Sequence, residues 1–137
     1  MNVYVFDACA LIAFLGNEDG ANIVREMLEK AGQGEDRIII HSNNLCEVYY
    51  DHLRVFGDKK AETMIEEILE LPLEIISEVS IPLLKLAGKF KVEKSISFAD
   101  SFVLALAKTE KASIVTTDHH EFDRIEEEGN IPFIWIR

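Results

Sequence analysis

The chain has 137 residues, 48% of them apolar, and a formal net charge of −11 from 14 Lys and Arg against 25 Asp and Glu. That is enough length for one domain, residues 1–137, and enough apolar side chains for a core, which excludes a disordered tail. The charge repels polyanions and excludes a generally basic nucleic-acid binder, though not an enzyme whose site holds divalent cations.

Strand-like and helix-like segments alternate along the chain. Residues 3–6 form a short apolar run, a buried strand. Residues 8–15 form a helix that ends at Gly16-Asn17. Residues 21–31 are amphipathic, with Ile23, Met27 and Leu28 on one face. The run Ile38-Ile39-Ile40 is a second buried strand within residues 37–41. Ser42 is placed to cap a helix that Gly57 stops, and Asp58 to cap the next. Residues 73–76 are a third strand. Ser80 with Pro82 announces a further helix, and Ser97 another that runs to about Lys111. Residues 112–117 are a strand, 119–128 a short helix, and 132–136 a last strand holding Trp135, the one tryptophan. Apolar strands alternating with helices imply an α/β fold: a three-layer αβα sandwich around a parallel sheet of four to five strands. Ligands in such sheets bind beyond the carboxyl ends of the strands.

The apolar run over residues 3–15 is too short to cross a bilayer and Asp7 interrupts it, so a cytoplasmic protein with no membrane association is expected. Cys9 and Cys46 are too few for a disulfide-stapled scaffold. Both lie in apolar stretches and are expected to be buried free thiols.

Four acidic residues stand apart from those on solvated helix faces. Asp7 is the one charged residue in residues 3–15, where a strand gives way to a helix. An unpaired carboxylate buried there costs several kcal/mol. Asp100 opens a helix that is apolar nearly all round, three residues after Ser97. Asp118 ends the strand Ile114-Val115-Thr116-Thr117. Glu47 falls opposite Leu45, Val48, Tyr49, Leu53 and Phe56 on a helical wheel. Each has a plain structural reading: Asp7 and Asp118 as helix caps, Asp100 as part of a capping box, Glu47 as a solvated side chain. Together they share one address, since all four belong to strand ends or early helix turns at the same sheet edge. Crowded carboxylates raise one another's pKa, and a divalent cation relieves that conflict. Hard oxygen ligands suit Mg²⁺, or Mn²⁺. Zinc spacing is missing, because His119 and His120 are adjacent and no Cys-x-x-Cys occurs. Such a site suits phosphodiester hydrolysis by a metal-activated water. Lys85, Lys89, Lys91 and Lys94 form the densest basic stretch, read as a solvated helix face or as a phosphate track leading to the cleft.

These segments resemble the PIN-domain family, particularly the small ribonucleases of the VapC toxin type. The resemblance rests on Val5-Phe6-Asp7-Ala8-Cys9-Ala10-Leu11-Ile12-Ala13, Asn44-Leu45-Cys46-Glu47-Val48, Ser97-Phe98-Ala99-Asp100-Ser101-Phe102-Val103-Leu104-Ala105 and Val115-Thr116-Thr117-Asp118-His119-His120-Glu121-Phe122, in that order over essentially the whole chain. It implies a parallel sheet sandwiched by helices and an Mg²⁺-dependent endoribonuclease acting on single-stranded or structured RNA. Asp7, Glu47, Asp100 and Asp118 would then be both catalytic and metal-binding. It also implies a homodimer and an antitoxin partner. Cys9 departs from the family pattern, which often has Ser or Thr there. Asp123 reads as a surface residue.

Three rival readings stand beside it. A receiver-like phospho-acceptor domain needs adjacent acids after the first strand and a late-strand lysine; Phe6 precedes Asp7, and no lysine stands near Asp118. A haloacid-dehalogenase-like phosphatase needs a second Asp where Cys9 stands. A non-catalytic PIN fold used as an interaction module keeps the same acids without the activity.

Overall fold

The elements run β1 Asn2–Phe6, α1 Ala8–Leu15, α2 Ala21–Gly32, β2 Asp36–His41, α3 Ser42–Phe56, α4 Asp58–Leu69, β3 Glu74–Ile76, α5 Ile81–Lys94, α6 Phe98–Glu110, β4 Ser113–Thr116, α7 His119–Glu127 and β5 Phe133–Trp135. They are taken from a computed structural model that describes residues 1–137. The five strands form one sheet in the order β3-β2-β1-β4-β5. Every neighbouring pair is parallel, with Val5 beside Ile39 on one flank and beside Ile114 on the other. This is the expected parallel sheet, at the upper end of the expected strand number.

Alternation along the strands divides the core. Val5, Ile39 and Ile114 face the side covered by α5, α6 and α7. Phe6, Ile38, Ile40 and Val115 face the side covered by α1 to α4. Each fully buried side chain of this size contributes roughly 1.5–3 kcal/mol over exposure. Helix α6 is buried from Asp100 to Ala107 without a break, so it fills the centre of its layer and fixes where its first turn lies.

Helix starts account for most of the differences from the sequence reading. Helix α3 is capped by His41, whose ring nitrogen Nδ1 accepts from the Asn43 N–H at 3.1 Å, and Ser42 is its first residue. Helix α4 has Gly57 at its cap position, with Asp58 as its first residue and no side-chain cap bond. Cys9 is half-buried and Cys46 exposed. The buried stripe of α3 runs through Asn44 and Val48, and Cys46, two residues from each, points away from it. The expectation of two buried thiols is corrected there. Gly20 precedes α2 at φ +97°, where a Cβ would lie 2.5 Å from the Ile136 carbonyl oxygen. Only glycine allows the start of α2 to approach the backbone beyond β5 so closely.

Candidate active site

Parallel packing points the carboxyl ends of β1, β2 and β4 to one edge of the sheet. Asp7 follows β1 and caps α1, its Oδ1 accepting from the Ala10 N–H at 2.9 Å. Its Oδ2 accepts a hydrogen bond from the Thr116 hydroxyl at the end of β4. The Thr116 Oγ1 in turn accepts from the Asp118 N–H at 2.9 Å. One threonine therefore links the first and fourth motifs. Asp118 caps α7 by accepting from the Glu121 N–H at 3.1 Å. Asp100 lies in the first turn of α6, and its N–H donates to the Ser97 hydroxyl at 3.2 Å. The caps Asp7, Asp118 and Ser97 are thus present, but the capping box is only half made, because the Ser97 N–H donates to Glu121 and not to the Asp100 carboxyl.

Asp7 is 1% exposed and Asp100 9%. Burial, opposed by the bonds from Thr116 and Ala10 and reinforced by the charges of Asp118 and Glu47, pushes the Asp7 carboxyl up to about 7. Burial and then the charge of Asp7 push Asp100 up to about 8. Glu47, a turn further into α3 than a first-turn residue, is half-buried. Burial raises its pKa; Tyr50 and Asn44 oppose the rise, while Asp118 and Glu121 add to it. It is not the freely solvated side chain its helical wheel suggested. The four acids are thus linked through their charges at one edge of the sheet.

The fold brings in two residues that sequence reasoning missed. Thr116 is one. Glu121 is the other: its Oε1 accepts from the Ser97 N–H at 2.7 Å, and its charge reaches Glu47 and Asp100. Its place three residues after Asp118, on the same face of α7, was the available signal. Asp123 stays outside the cluster, exposed and paired with His119 at 2.7 Å. The Cys9 thiol is pushed up to about 12 by burial and by the charges of Asp7, Asp118 and Asp100. It stays protonated and packs rather than attacks.

The donor set is entirely carboxylate and hydroxyl oxygen, the set that hard divalent cations select. Two buried acids that hold protons near neutrality are what a cation would ionise and stabilise. The residues present therefore fit such an ion. No three His, Cys, Asp or Glu side chains are gathered tightly enough to hold a metal between them. An ion here would take few protein oxygens directly and keep waters, as Mg²⁺ does.

A family model for the PIN domain matches residues 4–128. The chain belongs to the PIN-domain family. No curated protein matches it. Solved PIN structures share its fold at low identity. The VapBC2 complex of Rickettsia felis, bound to a DNA fragment from its promoter, includes a chain 23% identical; the match covers 96% of this chain and 97% of that one, with a TM-score of 0.73. A chain of the DNA-bound VapBC of Salmonella typhimurium matches over all of both chains, with 17% identity and a TM-score of 0.75. VapC20 of Mycobacterium tuberculosis, a toxin that cleaves the sarcin-ricin loop, is 18% identical over 90% of this chain and 95% of its own, with a TM-score of 0.62. In this PIN domain no helix is long and apolar enough to cross a membrane.

Proposed function

We propose that this PIN domain is a metal-dependent endoribonuclease, the toxin of a toxin–antitoxin pair acting in the cytoplasm. The observation that carries this reading is the pair of buried carboxylates Asp7 and Asp100, the charge of the first raising the pKa of the second. A fold built for stability alone has no reason to bury two carboxyl groups within reach of each other. Asp7, Glu47, Asp100 and Asp118 would hold Mg²⁺, or Mn²⁺. The bound ion would supply an ionised water at neutral pH and charge stabilisation at the phosphate. The chain's own part is orientation. Thr116 and the Ala10 N–H fix the Asp7 carboxylate, and the Ser97 cap fixes the start of α6 that carries Asp100. RNA as substrate is supported by the sarcin-ricin-loop activity of the Mycobacterium relative.

Two surfaces support the partners. A groove lined by Ile12, Leu15, Val48, Val55 and Phe56, with Glu18 and Asp51 beside them, fits an apolar antitoxin segment flanked by basic residues. Exposed Leu84, Val92 and Phe98 border a second groove of about 520 Å³, which fits another copy of the chain in a homodimer. The deciding experiment incubates purified protein with labelled RNA in Mg²⁺ and in EDTA. Cleavage that needs the metal and is lost in Asp100→Asn supports the reading. Cleavage that survives both EDTA and the substitution defeats it.

A further inference from the structure

Asn44 is fully buried in the first turn of α3, beside the acidic cleft. Its Nδ2 donates to the Ala99 carbonyl in α6 at 3.2 Å. That bond fixes the amide's orientation, because a carbonyl oxygen accepts only from the NH₂ end. The Oδ1 is left without a partner, and it is the one buried side-chain nitrogen or oxygen in the protein so stranded. Ala99 is the residue before Asp100. One side chain of α3, the helix of Glu47, therefore bonds directly to α6, the helix of Asp100. A buried acceptor without a partner lowers stability, and a leucine of similar volume would remove that cost. The polar group at this place is explained by what its NH₂ end holds.

We propose that Asn44 is a positioning residue that ties the first turn of α3 to the first turn of α6 and sets the separation of Glu47 from Asp100. The proposal rests on the metal-site reading above. It is tested with Asn44→Leu, Asn44→Ala and Asn44→Gln beside the wild type. The readouts are Mn²⁺ affinity by calorimetry, RNA cleavage resolved into kcat and KM, and thermal unfolding without metal. Loss of an outer-shell partner typically costs roughly tenfold to 100-fold in metal affinity or activity. Asn44→Leu and Asn44→Ala should bind Mn²⁺ roughly tenfold or more weakly and lose kcat with KM for RNA unchanged. Asn44→Leu should unfold at the wild-type temperature or above it. Asn44→Gln, which keeps an NH₂ end, should recover part of the affinity. If Asn44→Leu does not fold, Asn44→Ala decides alone. A wild type that binds Mn²⁺, with Leu and Ala variants that match it, overturns this proposal and leaves the metal site standing. A wild type that binds no Mn²⁺ overturns both.

Discussion

The carboxyl of Asp7 is held near neutrality by its burial, which gives the metal-free protein a characteristic pH response. A folded-state pKa of about 7 against an ordinary value of 3.8 means that the folded protein keeps a proton the unfolded chain has released. Asp100, at about 8, behaves alike. Stability from these groups is fully present below about pH 4 and is lost as pH rises through 7 to 8. A folded-state pKa one pH unit above the unfolded value corresponds to about 1.4 kcal/mol. Thermal unfolding in EDTA should therefore fall in temperature between pH 5 and pH 8, and saturating Mg²⁺ should flatten the fall. Asp7→Asn keeps the shape and removes the charge. It should raise the metal-free melting temperature at pH 8 by several degrees while lowering cleavage on the order of 100-fold or more, beyond the usual cost of an outer-shell change. An Asp7→Asn protein that melts with the wild type at pH 8 would show that the carboxyl is not strained by its site.

At the scale of elements, α3 shows a second and opposite pH dependence. The neutral His41 ring accepts from the Asn43 N–H through Nδ1 and donates from Nε2 to the Glu78 carbonyl at 3.2 Å. It also stacks on Phe102, with ring centroids 4.7 Å apart. Burial holds its pKa below 6.5, with the Glu78 bond opposing. Stability from this cap is present above pH 6.5 and is lost as pH falls through the lowered folded-state value, because a protonated Nδ1 cannot accept. His41→Asn, a side chain that caps without titrating, should lower stability at pH 8 through the lost Phe102 stack and Glu78 bond, and remove the acid-side loss. Chemical denaturation at pH 5 and pH 8 checks both halves. The same helix shows where the sequence was readable. Strand runs, glycine stops and the caps Asp7, Ser80, Ser97 and Asp118 are local signals, and the elements they mark appear within a residue or two. Asp7, Asp100 and Asp118 stood out because each interrupts or ends an apolar run. Glu47 stood out least of the four and Asn44 not at all, since a helical wheel ranks faces by apolarity and the buried stripe of α3 contains an asparagine. Thr116 was hidden for another reason: its partner Asp7 lies 109 residues away, and no local pattern records such a pairing.

For the whole molecule, on the activity proposed above, the net charge of −11 would set the terms on which RNA is held. Of the four lysines in the basic stretch, Lys85, Lys89 and Lys91 are exposed, while Lys94 is tied to Glu128. Lys91 lines the groove that also holds Phe98 and Ser101, on either side of Asp100 in sequence. It is the member of the stretch that shares a groove with the first turn of α6, a surface for which RNA and a second copy of the chain would compete. Lys91→Ala should weaken RNA binding and reduce the slope of log affinity against log salt by about 0.7. Single-turnover cleavage at saturating RNA should stay as it was. An unchanged slope, measured by fluorescence anisotropy across a salt series, would place the phosphate contacts elsewhere on the surface.

The central position of β1 has a consequence in time. Its flank is closed by β4, so the bond from Thr116 to Asp7 joins two points separated by 109 residues. During synthesis Asp7 is made early and waits while the intervening helices emerge. A truncated product of an interrupted ribosome that stops before Ser113 carries Asp7, Glu47 and Asp100 but has no strand to complete the flank beside them. On the activity proposed above, such a fragment also lacks Thr116 and Asp118 and should not cleave RNA.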